Sequence, residues 1–295
     1  MVGISSRVLI FDHSMHPPHT YAEWLASLSA QLTTYSQVEA ENLVFWLFEK
    51  HLGLRRADLP QAIPSEAVNE RLLSDFQRLL TGEPIQYILG EAPFYGRNFL
   101  VTQDTLIPRN ETEELVHRII KENSKSGVRV LDLGTGTGCI PITLALELKE
   151  PEVVALDVSV QALVIARQNA LHLGAQVQFL EGNLLGTIPT LDLFDVLVSN
   201  PPYVPIRDQG EMHVNVLNFE PHLALFVPDE DPLLFYRAIG GWGKKLLKKG
   251  GKLYLEIYEN LSEELVQLLQ SLGYTQVNVH QDLNGKNRMI TCYWP

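Results

Sequence analysis

The stretch 127-GVRVLDLGTGTGCIPITLALEL-148 decides the fold of this 295-residue chain. An apolar run, Val128 to Asp132, passes directly into Gly134, Gly136 and Gly138, and an apolar helical pattern follows from Cys139. Glycines at the carboxyl end of a strand let the backbone turn sharply and come close to a ligand. The spacing is GxGxG, not the dinucleotide GxGxxG, and by itself it fits a tight strand-to-helix turn equally well. A second apolar run ends at Asp157, about 20 residues on, the separation at which a carboxylate accepts hydrogen bonds from ribose hydroxyls. Asp157 alone could be a helix cap. In register with the glycines, it points to an adenosine-containing cofactor.

Outward from this stretch, apolar strands alternate with amphipathic helices. Strands are expected at Val128 to Asp132, Val153 to Asp157, Val177 to Glu181, Asp195 to Ser199, Lys252 to Tyr258 and Arg288 to Trp294, with helices near 139–149, 159–173, 232–249 and 261–272. That alternation predicts an α/β fold, a doubly wound parallel sheet with helices on both faces. The fourth strand leads into Asn200-Pro201-Pro202-Tyr203. Two prolines after a strand remove two amide donors and bias their predecessors toward extended backbone, leaving carbonyls free to accept. Asn200 adds a side-chain carbonyl and Tyr203 an aromatic face, so the loop suits a planar NH2 group. A proline-stiffened turn explains the loop standing alone. Its place at the carboxyl edge of the same sheet as the glycines favours binding.

Toward the N-terminus the texture is helical. Trp24, Leu25, Leu28 and Leu32 share one face, and Leu43, Val44, Leu47 and Phe48 another, with Ser36 and Glu39 as a capping box. A third helix is expected from about Ser65, with Val68, Leu72, Leu73, Phe76 and Leu79 inward and Gly82 past its end. From Gly82 to Pro108, Gly, Pro and aromatics in GEPIQYILGEAPFYGRNFLV mark short β-like runs, a linker or hairpin. The expected division is 1–83 helical, 84–108 a β-hairpin linker, and 109–295 the α/β domain. His13, His16 and His19 are spaced for a metal face, but Pro17 and Pro18 forbid that helix, and no metal site is expected.

Apolar residues at 45%, charged residues at 20% and a mean hydropathy of 0.00 exclude disorder, collagen and a coiled-coil rod. No run approaches the roughly 18 apolar residues of a membrane helix, and Val8 to Phe11 is too short for a signal peptide, so a cytoplasmic location is expected. Cys139 and Cys292 stand apart without zinc spacing. The net charge of −12 opposes a grip on phosphates. The one basic cluster, Lys244, Lys245, Lys248 and Lys249, reads as a solvated helix end.

DLGTGTG with NPPY resembles class I S-adenosylmethionine-dependent methyltransferases acting on amino groups conjugated to a planar system. GEPIQYILG, FYG, the LIPRNETEEL stretch from Leu106 to Leu115, NPPYVP, FEPHLALF from Phe219 to Phe226, and DLNGKNR from Asp282 to Arg288 resemble the HemK-type peptide chain release factor glutamine methyltransferases over nearly the whole chain. The resemblance implies a Rossmann-like seven-stranded domain behind a helical docking domain. It also implies methylation of the side-chain amide of the GGQ glutamine in bacterial release factors, with S-adenosylmethionine as cofactor and S-adenosylhomocysteine as product. The implied cofactor residues are Asp132, Gly134, Thr135, Gly136, Thr137, Gly138, Asp157, Asn183, Leu184 and Asn200. Asn200 and the Pro201 carbonyl would hold the glutamine NH2 with Tyr203 beside it, and Pro202, Arg109, Glu111 and Thr112 would lie near the substrate.

The chain departs from the family pattern in two places. Asn110 stands where a proline is usual, and Asn183-Leu184 replaces an acidic-aromatic pair, so Asn183 could accept from the adenine amine while Leu184 cannot stack on the ring. Three rival readings are a glutamine methyltransferase of a ribosomal protein, an adenine-N6 nucleic-acid methyltransferase, and a non-catalytic cofactor-binding protein. The second needs base flipping and a phosphate grip, which the charge disfavours. The third is disfavoured by the intact NPPY.

Overall fold

The computed structural model describes residues 20–62 and 70–295. The three N-terminal histidines and the start of the third expected helix, with Ser65 and Val68, lie outside those residues. The chain divides into two compact units, one running to Leu89 and one from Gly90 to Pro295.

In the first unit, α1 (Tyr21–Ser29), α2 (Gln37–Leu52), α3 (Glu70–Leu80) and α4 (Ile85–Leu89) bury one apolar cluster built on Leu28, Val44, Leu47, Phe48, Leu72, Phe76 and Leu79. The Ser36 hydroxyl accepts the Glu39 N–H at 3.3 Å to start α2, and Gly53, left-handed at φ 66°, stops it. The IQYIL run, expected as β-like, is α4. Its Ile85 and Ile88 join the helical core, and that burial outweighs β-propensity.

The second unit opens with a hairpin, β1 (Glu91–Phe94) and β2 (Arg97–Leu100), then α5 (Asn110–Glu122). The alternation follows: β3 (Arg129–Leu133), α6 (Cys139–Glu147), β4 (Glu152–Asp157), α7 (Val160–Leu173), β5 (Gln178–Glu181) and β6 (Phe194–Ser199). After a two-residue pair, β7 (Val204–Pro205), come α8 (Val214–Phe219) and its partner β8 (Phe226–Val227). The chain closes with α9 (Leu234–Leu246), β9 (Leu247–Glu256), α10 (Ser262–Ser271), β10 (Thr275–Gln281) and β11 (Asn287–Tyr293).

The main sheet has seven strands in the order β10-β11-β9-β6-β3-β4-β5, parallel from β9 to β5, with β11 antiparallel to both of its neighbours. Its central strands are apolar on both faces. Leu131, Leu197, Leu253 and Leu255 pack under α9 and α10, while Val130, Val196, Val198 and Tyr254 pack under α5 and α6. Phe94 and Phe99 of the hairpin join the second of these cores. The helix expected over 232–249 ends at Leu246, because the next residues pair: Leu247 with Phe194, and Gly250 N–H with the Trp294 carbonyl at 2.7 Å. Lys248 and Lys249 therefore sit on β9, and Lys248 Nζ is ion-paired with Asp195 at 2.8 Å. β10 was not expected. TQVNVHQ is an edge strand, half-buried to exposed, without the apolar run that marks the interior strands.

Candidate active site

The chain runs from central β3 to β4 on one side, while β6 pairs with β3 on the other. This reversal of strand order opens a crevice beyond the carboxyl ends. Beyond β3, the backbone turns through Gly134, Gly136 and Gly138 at φ 79°, 54° and 80°, with the Gly134 and Thr135 N–H groups both donating to the Leu156 carbonyl. A Cβ at Gly134 or Gly136 would meet nothing within 4 Å, whereas at Gly138 it would lie 2.9 Å from Ile142 Cδ1 and 3.1 Å from Ala166 Cβ. The first two glycines leave the loop bare toward the crevice. The third lets α6 approach α7.

Asp157 ends β4. Its Oδ2 accepts the Gly136 N–H at 2.8 Å and its Oδ1 the Ser159 N–H at 2.9 Å. It thus anchors the glycine loop, and lone pairs remain for a ligand. Burial pushes its carboxyl above the ordinary value, and the backbone N–H groups of Ser159 and Gly136 pull it back. Asp132 is fully buried, and among the described residues neither of its oxygens, nor the Thr135 hydroxyl, makes a hydrogen bond of good geometry. Burial pushes the Asp132 carboxyl up to about 7, eased by the nearby Thr135 hydroxyl and reinforced by the charge of Asp157.

One cavity collects most of the expected residues. Arg109, Thr112, Gly134, Thr135, Gly136, Thr137, Asp157, Asn183, Leu184, Asn200 and Pro202 all line it. Asp132, Glu111, Gly138, Pro201 and Tyr203 do not. The Tyr203 ring stacks on Tyr258 at 6.1 Å between centroids, and its hydroxyl donates to Glu256 Oε1 at 3.0 Å. Asn183 Oδ1 accepts the Leu185 N–H at 2.9 Å, which uses one of its two lone pairs. Leu184 is held from behind, its carbonyl accepting from Trp242 Nε1 at 3.0 Å. Phe235 of α9 supplies an aromatic wall to this cavity that the motif reading did not include. Asn110 is the exposed first residue of α5, where proline and asparagine are both tolerated, so its departure leaves the helix intact.

Three further buried polar residues hold the rim. Glu220 Oε1 accepts from Arg109 Nη2 at 2.6 Å and Oε2 from the Ile107 N–H at 3.1 Å, tying the LIPRNET segment to FEPHLALF. Asn169 of α7 donates to the Leu100 and Thr137 carbonyls at 3.0 and 2.9 Å and accepts the Leu100 N–H at 2.7 Å. Glu256, at the end of β9, accepts from Thr112 and Tyr203. None of the three belongs to a motif read as binding. A carboxylate or amide closing a strand or helix face was the available signal, and it does not say which partner it will meet. Arg288, from DLNGKNR, is ion-paired with Asp282 at 3.2 Å and lends its positive charge to Glu256.

Residues 23–90 match the family model described as the PrmC N-terminal domain, and residues 110–218 that of the methyltransferase small domain. The chain is 42% identical over 270 residues to the release factor glutamine methyltransferase of Flavobacterium psychrophilum, covering 89% of this chain and 95% of the relative. It belongs to the release factor glutamine methyltransferase family. A second member, from Bacteroides thetaiotaomicron, is 48% identical over 215 residues, 72% of this chain and 77% of the relative. A crystal structure of a methyltransferase from Pyrococcus furiosus matches with a TM-score of 0.50 and 19% identity over 74% of this chain and 96% of that chain, which speaks for a shared fold.

The protein is therefore an S-adenosylmethionine-dependent methyltransferase. The residues present fit that cofactor. Two buried carboxylates, Asp132 and Asp157, make no ion pair among the described residues, and a bare glycine loop lies beside them. A ligand carrying positive charge would offset both, and S-adenosylmethionine carries an ammonium and a sulfonium. No helix among the described residues is long and apolar enough to cross a membrane.

Proposed function

We propose that this enzyme methylates the side-chain amide nitrogen of the glutamine in the GGQ motif of bacterial release factors, in the cytoplasm, with the N-terminal helical unit docking the protein substrate. The observation that carries the reading is the placement of Asn200 on the cavity wall with its Nδ2 occupied by Thr112 Oγ1 at 3.2 Å. That leaves Oδ1 free as an acceptor. The glycine loop, Asp132 and Asp157 are assigned to the cofactor, with Asn183, Leu184 and Phe235 along the wall that would take its adenine. When bound, S-adenosylmethionine supplies a methyl group activated by its positive sulfur.

An amide nitrogen is a poor nucleophile because its lone pair is delocalised into the carbonyl. Asn200 Oδ1 and the Pro201 carbonyl are assigned as the two acceptors of the glutamine NH2. Proline at 201 and 202 leaves this strand end without competing amide donors. As the lone pair localises, positive charge grows on nitrogen, and two fixed acceptors stabilise that charge more than the ground state. The Leu133 carbonyl accepts from the buried Ser199 hydroxyl at 2.6 Å, which ties this loop to the glycine loop and keeps both in one frame. The N–CH3 bond would form as the S–CH3 bond breaks, with S-adenosylhomocysteine as the leaving group, and the proton that the methylated nitrogen then loses would pass to solvent, so no general base is needed to begin the reaction. Tyr203, whose ring stacks on Tyr258, is assigned to pack beside the glutamine amide.

The test is methyl transfer from labelled S-adenosylmethionine to a purified release factor, with peptide mass mapping. A single methyl on the GGQ glutamine is expected, with turnover lowered about a hundredfold in Asn200→Ala. Label on ribosomal protein or nucleic acid in place of the release factor would overturn the substrate. Near-normal turnover of Asn200→Ala with cofactor bound would overturn the role of the loop.

A further inference from the structure

We propose that Glu256 is a positioning residue for methyl transfer: acting through Thr112, it determines which end of the Asn200 amide faces the substrate, and acting through Tyr203 it braces the same loop. This rests on the acceptor role given to Asn200 above.

Glu256 closes β9, and its neighbour Leu255 is paired with Ser199, so the carboxylate lies alongside the start of the Asn200 loop. It is 1% exposed. Its Oε2 lies 2.6 Å from Thr112 Oγ1 and its Oε1 3.0 Å from the Tyr203 hydroxyl. A carboxylate only accepts, so the single hydrogen of the Thr112 hydroxyl goes to Glu256. Thr112 Oγ1 can then offer only a lone pair to Asn200, 3.2 Å away. The atom of Asn200 that faces it must be the NH2, and Oδ1 is turned toward the cavity. A free asparagine has two such orientations, and the wrong one would present a donor to the donor groups of the substrate amide.

Both Glu256 oxygens are met by hydroxyl groups, which is the geometry of an acceptor. Burial and the charge of Glu111 on α5 push its carboxyl above the ordinary value. The hydrogen bonds from Thr112 and Tyr203 and the positive charge of Arg288 on β11 pull it down. From α9, the Tyr236 hydroxyl donates to the Glu256 backbone carbonyl at 3.2 Å and holds the strand end in place. Hydrogen bonds from α5 and from the loop after β6 thus meet on one carboxylate that does not line the cavity itself.

A purely structural role would lower stability and cofactor affinity together with turnover. The positioning role predicts a selective loss. Thr112→Val removes the relay hydroxyl at nearly constant volume and is expected to lower kcat on a purified release factor at least tenfold. S-adenosylmethionine affinity by calorimetry should stay within threefold, and Thr112→Ser should retain at least a third of wild-type kcat. Glu256→Gln, which must present an NH2 to one of its two hydroxyl partners and reverse it, is expected to lower kcat at least threefold. In an Asn200→Ala background, Thr112→Val should have no further effect, because the residue it orients is gone.

The proposal is overturned if Thr112→Val or Glu256→Gln keeps kcat within twofold of wild type. It is equally overturned if cofactor affinity falls in step with kcat, or if the double variant loses a further tenfold. Should Thr112→Val fail to fold, Glu256→Gln carries the same decision. Normal turnover of Asn200→Ala would instead refute the acceptor role of the loop, so the two failures are distinguishable.

Discussion

Replacing Asp132 with asparagine should stabilise the ligand-free enzyme above neutral pH and flatten its pH profile. Asp132 is fully buried at the end of β3, and burial pushes its carboxyl up to about 7, against about 3.9 in an unfolded chain. The sign follows from proton counting. Between those two values the folded state holds a proton that the unfolded state has released, so stability falls as pH rises through the window. Each pH unit in that window costs about 1.4 kcal/mol, which sets a ceiling of about 4 kcal/mol from pH 4 to pH 7 and about 3 kcal/mol of it above pH 5. At about 2 °C or more per kcal/mol for a domain of this size, the wild-type unfolding midpoint should fall about 6 °C further than that of Asp132→Asn between pH 5 and pH 8. Thermal unfolding by circular dichroism at the two pH values, without ligand, reads this directly. Asp157 and Glu256 are also raised by burial, but they remain in both proteins and largely cancel in the difference. Parallel pH profiles for wild type and variant would refute the reasoning and show that Asp132 is ionised at no cost to the fold.

Asp157→Ala removes the acceptor for the Gly136 and Ser159 N–H groups, and should cost about 2 kcal/mol or more in stability. Cofactor affinity should fall at least tenfold by calorimetry, and an unchanged dissociation constant would take Asp157 out of the site. Gly138→Ala places a Cβ against Ile142 and Ala166 at a left-handed backbone position, and should destabilise by about 2–4 kcal/mol in denaturant unfolding. Gly134→Ala carries the same left-handed strain, about 1–2 kcal/mol, but its Cβ meets open space, so it should lose less stability than Gly138→Ala and act on cofactor affinity. Equal stability losses for the two glycines would contradict the packing argument.

Much of the α/β unit was legible because its signals are local. Val128 to Asp132, Val153 to Asp157 and Asp195 to Ser199 are apolar runs too short for helices, and the structure places them as adjacent parallel strands. The exposed edge strand β10 carries no such run and was missed. β9 begins at Leu247 and not at Lys252, because Lys248 and Lys249 look like a helix end until Leu247 finds Phe194 across the sheet. IQYIL reads as β by residue type, and it is helical because Ile85 and Ile88 have a helical core to enter. Within the site, the NPPY motif names Tyr203 but not its partners: its hydroxyl meets Glu256 and its ring Tyr258.

Local residue patterns specify the alternation of strands and helices, the glycine turn after β3, the proline-stiffened loop after β6, and hence the sheet edge to which binding is assigned. Each of these depends on residues close together in the chain. That Glu220 clamps Arg109, that Asn169 ties Leu100 to Thr137, and that Glu256, Thr112 and Asn200 form one hydrogen-bonded chain is visible only in the folded chain. Those partners are 111, 69 and 32, and 144 and 88 residues apart. A buried polar group must find a partner, but sequence periodicity reports only that it turns inward. Which group it meets depends on how strands and helices are ordered in space.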